Sequence, residues 1–213
     1  MVYWELGRYP LDIDIKLKIV SYWCKLLSAK ETKLSSIAYR LLKTLFTVNN
    51  VCTFFVSKVK NILDECGFSN IWISQCFGND IWLKNALKLR LQDHYKQLWN
   101  TQLQESTKAV NYRIFKLELK FEKYFDILDM HESIILCRYR TTNHRLPIET
   151  GRWNNVNRND RKCHLCNIGS IGDELHYLLE CPFFNDSRKL YLDKYYLARV
   201  NTLKFGKLMS KLN

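Results

Sequence analysis

Cys163-His164-Leu165-Cys166, followed by His176 and Cys181-Pro182, constrains this chain more than any other stretch. Two cysteines with two residues between them form a chelating hook. A histidine and a third cysteine complete a set of three sulfurs and one nitrogen, C-x2-C-x9-H-x4-C. That donor set suits tetrahedral zinc, which structural sites hold with Cys₃His as readily as with Cys₄. Free cysteine is also a small core hydrophobe, so four unrelated buried residues are the competing reading. Paired spacing is a stronger signal than a lone thiol and favours the metal. The expected ligands are Cys163, Cys166, His176 and Cys181, around one structural zinc. His164 is the rival ligand, but a residue between the two hook cysteines should point away to the surface.

Stereochemistry tests the assignment. Residues 173–180 read as a short helix with an acidic pair at its start and Leu175, Leu178 and Leu179 on its apolar side. On a continuous α-helix, residues five apart face about 140° from each other. His176 and Cys181 therefore share a metal only if the helix stops between them. Cys181 precedes Pro182, and a residue before proline is pushed out of the α region. Pro182 should then start a further helix at its first position, with Phe183, Leu190 and Leu197 at heptad spacing along it.

The rest of the chain reads as helix. Ile15, Ile19, Tyr22, Trp23, Leu26 and Leu27 mark one helical face, although the alternation from Leu11 to Ile19 imitates a strand. Leu34, Ile37, Ala38, Leu41, Leu42, Leu45 and Phe46 mark a second. Val51, Phe54, Phe55, Ile62, Leu63 and Cys66 mark a third, stopped by Gly67 as a left-handed cap. Asn79 or Asp80 caps a long helix through Trp82, Leu83, Leu87, Leu91, Leu98 and Trp99. Residues 112–128 should be helical in two pieces, and Ile134, Ile135 and Cys137 open a helix ending near Thr141. The expected fold is mainly α: a bundle-like array of helices over 1–130, and a small zinc-stapled lobe within 131–213.

Charge points to an anionic partner. The chain carries a formal net charge of +12, a statement about partners rather than fold. Between Arg138 and Lys162 lie seven basic residues against Glu149 and Asp160, a local excess of five. Six of the seven are arginines, which fork phosphates. Trp153 supplies a stacking face, and His144 and Asn143 add donors, the recurrent parts of single-strand binding surfaces. Arg138, Arg140, Asn143, His144, Arg145, Arg152, Trp153, Arg158 and Arg161 are the candidate contacts to RNA, single-stranded DNA or target DNA. A solvated face of locally paired arginines is the alternative. The N-terminus lacks a basic region followed by an apolar one, and no apolar run approaches the roughly 18 residues that span a membrane. Eight cysteines in such a chain are expected as reduced thiols in a cytoplasmic or nuclear protein, not a secreted one.

The stretch Arg140-Thr141-Thr142-Asn143-His144-Arg145-Leu146-Pro147-Ile148-Glu149-Thr150-Gly151-Arg152-Trp153, the hook, and Gly172-Asp173-Glu174 with His176 and Cys181-Pro182 closely resemble the C-terminal region of animal non-LTR retrotransposon reverse transcriptases. That region carries the family's zinc-binding, cysteine-rich segment. Glu5-Leu6-Gly7-Arg8-Tyr9-Pro10-Leu11 and residues 99–115 look like the connector that follows the polymerase. The resemblance covers nearly the whole chain and implies a piece of a larger polyprotein, with the upstream polymerase portion as a partner. It does not carry the enzymatic activity over. No Ala-Asp-Asp-type polymerase motif is present, and Asp12/Asp14 and Asp126/Asp129 read as solvated helix residues. No apurinic-type endonuclease constellation is present, and too few residues follow Cys181 for a restriction-like nuclease. The implied role is nucleic-acid binding without a catalytic site.

Overall fold

The structure is a computed structural model, and it describes residues 2–48, 51 and 53–211. It is mainly helical, and the described residues contain no strand beyond two isolated antiparallel bridges, Leu6 with Phe121 and Lys162 with Ile171. The chain forms two compact units. One is Tyr9–Leu98; the other joins Met1–Arg8 to Trp99–Asn213. The expected division at 130/131 falls inside the second unit, because Tyr112 and Phe115 share a core with Phe205 and Met209.

A single turn, α1 (Val2–Glu5), opens the chain and belongs to the second unit. The first unit begins with α2 (Leu11–Ser28), entered from extended Pro10, with Asp12 and Asp14 favouring its N-terminus. Ile13, Val20 and Cys24 are buried along it, spaced seven and four residues apart, so the 3.6 period overrides the apparent alternation. Trp23 is fully buried, with Trp72 and Phe77 about it at ring separations of 6.3 and 6.2 Å. Tyr22 and Ile15, expected on the same face, are exposed.

The next helix, α3 (Leu34–Val48), forms where expected but faces the other way. Ser36 and Tyr39 are its buried residues, while Leu34 is 80% and Leu41 62% exposed. Hydrogen bonds explain the orientation. Trp23 Nε1 donates to the Tyr39 hydroxyl at 2.7 Å, which donates to Gln75 Oε1 at 2.6 Å; Ser36 Oγ donates to the Leu26 carbonyl at 3.0 Å. These anchors turn the polar edge inward and leave the leucine face in solvent.

Helix α4 (Phe54–Glu65) starts after Val51 and ends at Gly67, whose φ is +79°. The Gly67 N–H donates to the Asp64 carbonyl at 3.0 Å and the Phe68 N–H to Leu63 at 2.7 Å, the Schellman pattern that a left-handed residue permits. Short α5 (Ser69–Ser74) buries Ile71 and Trp72. The long α6 (Asp80–Glu105) is capped by Asn79, whose Oδ1 accepts from the Trp82 N–H at 2.9 Å. Leu83, Leu87 and Leu91 join the first unit's core; Trp99 and Leu103 join the second's.

In the second unit, residues 112–128 hold two single turns, α7 (Tyr112–Phe115) and α8 (Tyr124–Ile127). The bridge between Leu6 and Phe121 brings the N-terminal segment against the chain between them. Gly7, at φ +58°, lies so close to Phe121 N that a β-carbon would sit 2.3 Å from it. Helix α9 (Met130–Arg140) is capped by Asp129, which accepts from the Glu132 N–H at 2.8 Å. Helix α10 (Pro147–Trp153) has proline in its first turn, where no backbone donor is lost. After the hook come α11 (Asn185–Tyr191), α12 (Lys194–Leu197) and α13 (Thr202–Lys211).

The helix expected from Pro182 is thus broken. A 3₁₀ turn, Pro182–Phe184, precedes α11, and extended backbone at Leu192 separates α11 from α12. Phe183 and Leu190 are exposed, and Arg188 is the buried residue of α11. No described helix is long and apolar enough to cross a membrane.

Candidate metal centre and basic groove

The four expected ligands converge. Cys163 Sγ, Cys166 Sγ, the His176 imidazole and Cys181 Sγ all lie within 4.8 Å of one another. Cys163 and Cys181 sulfurs are 3.8 Å apart; Cys166 Sγ is 3.4 Å from His176 Nε2. Thiolates about 2.3 Å from a shared tetrahedral ion lie about 3.8 Å apart, and a thiolate and an imidazole nitrogen about 3.6 Å. Both edges match, so the residues fit one small tetrahedral metal ion.

The backbone explains the convergence. In the hook, the Cys163 N–H donates to the Ser170 carbonyl at 3.0 Å and Gly172 N–H to Arg161 at 2.8 Å, closing a short hairpin with Gly169 at φ +74°. The Leu165 N–H points back at Cys163 Sγ, 3.4 Å away. On the other side, residues His176–Glu180 form a turn of π-helix, in which the Cys181 N–H donates to the His176 carbonyl at 2.7 Å. This i to i+5 bond widens the turn and brings residues five apart toward one side, which an α-turn cannot do. Cys181 then leaves the helical region, with φ −58° and ψ 121°, as a residue before proline should.

Surrounding groups hold the ligands in place. His176 Nδ1 lies 3.3 Å from Glu180 Oε2, which leaves Nε2 for the metal and fixes the ring. Asp173 Oδ1 accepts from the His176 N–H at 3.0 Å and caps the turn. Buried Arg188 donates to the carbonyl of Cys181, which also accepts from the Phe184 N–H at 3.2 Å, and, at 3.4 Å, to that of Tyr177. Burial works to raise the Cys163 thiol, but hydrogen bonds from the Leu165 N–H, Tyr177, His176 and Cys166 outweigh it and bring it down to about 6. Burial pushes Cys181 up to about 11, and the neighbouring sulfurs add to the rise. One ligand is thus a ready thiolate and another gives up a proton on binding. His164 is exposed and takes no part.

The nine candidate nucleic-acid contacts divide sharply. Arg140 is a correction: it is buried at the centre of an ion network. Its Nε donates to Glu5 Oε2 at 2.7 Å, one Nη to Glu122 Oε2 at 2.8 Å and the other to the Met209 carbonyl at 2.5 Å. Tyr112 and Tyr124 hydroxyls donate to the two Glu5 oxygens, each at 2.7 Å, and Lys116 pairs with Glu122. Two cations and two carboxylates cancel there, out of reach of any phosphate. Arg161 is also occupied, donating to the Val156 and Ile148 carbonyls at 3.0 and 2.9 Å. Arg152 forks Glu149 at 2.7 and 3.2 Å, which the i, i+3 spacing of opposite charges could have signalled. Arg158 is half-buried beside Arg161 and Glu149.

The remaining five meet in one place. Arg138, Asn143, His144, Arg145 and Trp153, with Ile135 and Tyr139, line a groove of about 580 Å³. Trp153 is 54% exposed. Among the described residues no carboxylate lies within 4.0 Å of the Arg138 or Arg145 guanidinium. The turn between α9 and α10 that presents Asn143, His144 and Arg145 passes through Thr142 at φ +54°, a strained conformation for a β-branched residue. No family model, curated protein or solved structure matches this chain.

Glu174 is the residue that sequence reasoning missed. Its carboxylate takes His144 Nε2 at 2.8 Å and Asn111 Nδ2 at 2.6 Å, and its carbonyl accepts from the Tyr139 hydroxyl at 2.6 Å. Two groove walls therefore hang on a residue two positions before the candidate ligand His176. In sequence it reads only as an acidic residue at a helix start.

Proposed function

We propose that this chain is a nucleic-acid-binding module with one structural zinc, corresponding to the post-polymerase part of a non-LTR retrotransposon reverse transcriptase and without a catalytic site of its own. Three thiols and an imidazole suit zinc, and four protein ligands leave it no open position for water, which argues for a structural role. The observation that carries the binding reading is the groove, which two unpaired guanidiniums and an exposed tryptophan line together. Arginines there supply sequence-independent attraction to phosphates, and the tryptophan a stacking face. The ligand is RNA or DNA, and the polymerase portion of the parent polyprotein is the neighbour in the same chain.

Oligonucleotide binding measured across a salt series tests this. Arg138→Ala and Arg145→Ala should each weaken binding and make the salt slope shallower by about one, while Arg161→Ala should act through stability. Binding that ignores both groove arginines refutes the assignment. One observation favours a second reading, a zinc-stabilised protein-interaction module: the exposed leucine face of α3. That reading expects no salt-sensitive oligonucleotide binding at all.

A further inference from the structure

The groove's hydrogen-bonding inventory narrows what it can take. The polar ends of two of its rings are already engaged: the Tyr139 hydroxyl by the Glu174 carbonyl, and His144 Nε2 by the Glu174 carboxylate. His144 Nδ1 accepts from the Leu146 N–H at 3.3 Å, so both ring nitrogens are satisfied. The two rings lie together with centroids 5.7 Å apart. They line the groove with aromatic surface and offer it no free N–H or O–H donor. Trp153 adds a third, exposed ring. What stays unspent is the Asn143 amide and the two guanidiniums of Arg138 and Arg145. Aromatic walls, one neutral amide and two cations in one groove match a planar heterocycle with a polar edge and a neighbouring phosphate. In a duplex the base faces are covered by stacking and the edges by pairing.

We infer that the groove is a pocket for an unpaired nucleobase of a single strand, and that Glu174 is the positioning residue that sets its walls. The inference rests on the binding function proposed above and adds the ligand class. Glu174 acts through Tyr139 and His144 and touches no nucleotide itself. Its two carboxylate oxygens each accept from a different donor, Oε1 from His144 and Oε2 from Asn111. Glutamine has one acceptor oxygen and serves only one of them. Glu174→Gln should therefore make the His144 ring and the Asn111 amide compete for the one acceptor that remains, loosening the His144 wall without altering volume or any metal ligand.

The test uses the full zinc-loaded chain and a short fluorescent DNA strand, that strand annealed to its complement, and the same strand with abasic positions. The wild type should bind the intact single strand roughly tenfold more tightly than the duplex or the abasic strand, the order of one lost stacking contact. Trp153→Ala and Glu174→Gln should erase most of that preference while keeping the salt slope and one zinc per chain. Arg138→Ala should weaken all three probes alike. Should Glu174→Gln fail to fold, His144→Ala removes the same wall and leaves the Glu174 to Asn111 bond intact. Salt-sensitive binding that treats the three probes equally overturns the inference and leaves the proposed function standing. Full preference in Glu174→Gln or, failing that, in His144→Ala overturns the positioning role. No salt-sensitive binding to any probe overturns both.

Discussion

Replacing Arg140 by methionine separates the two roles that this arginine can have. As a phosphate contact it would weaken binding and leave the fold alone. In the structure its side chain is fully buried and bonded to Glu5, Glu122 and the Met209 carbonyl, with its guanidinium 4.6 Å from the Phe115 ring centre. Methionine fills much of the volume but leaves Glu5 and Glu122 facing Lys116 alone, one buried negative charge uncompensated. Breaking a buried pair by removing one partner costs about 3–5 kcal/mol. Against a domain stability of about 5–15 kcal/mol, that is about a fifth of the total or more. At about 4 °C per kcal/mol, the second unit should melt ~15 °C lower. Calorimetry on the zinc-loaded protein measures it, and the double variant with Glu5→Gln should recover part of the loss, because it removes the orphaned charge. An unchanged melting transition with weakened oligonucleotide binding would refute the buried network.

Three further outcomes follow from the same structure. The Tyr112 and Tyr124 hydroxyls are held far above their ordinary pKa of 10.0, first by burial and then by the Glu5 carboxylate. They stay neutral in the fold while the unfolded chain ionises, so their stabilisation is complete below about pH 10 and declines as pH rises beyond it; Tyr124→Phe should flatten that decline in alkaline denaturation curves. Zinc uptake by chelator-stripped protein should release protons, because Cys181, raised to about 11, must ionise to bind; calorimetry in buffers of different ionisation enthalpy reads the number, and none released would contradict the site. In native, zinc-loaded protein, thiol labelling should reach exposed Cys76 before Cys24, whose thiol burial pushes up to about 12, and mass mapping after chelation should add Cys163 and Cys166.

Signals confined to a turn or two of chain were legible from residue order. The Asn79 cap, the Gly67 stop and the departure of the backbone at Cys181 before Pro182 are set by bonds between residues close in sequence, and the four candidate metal ligands were marked by their spacing. The helical segments themselves were legible for the same reason, since a 3.6-residue period needs no partner to be recognised. What each face meets was not. The α3 stripe has the spacing of a core face, yet Tyr39 and Ser36 reach Trp23 and the Leu26 carbonyl, and hydrogen bonds to earlier and later helices decide which side turns inward. Arg140 has the sequence surroundings of a phosphate contact, yet its carboxylate partner Glu5 lies 135 residues away. Among the basic residues of the connector, residue order could not separate those spent on Glu149, on carbonyls or on the buried network from the two left over beside Trp153. A charge is available to a ligand only when the folded chain brings it no partner, and that is settled by tertiary contacts alone.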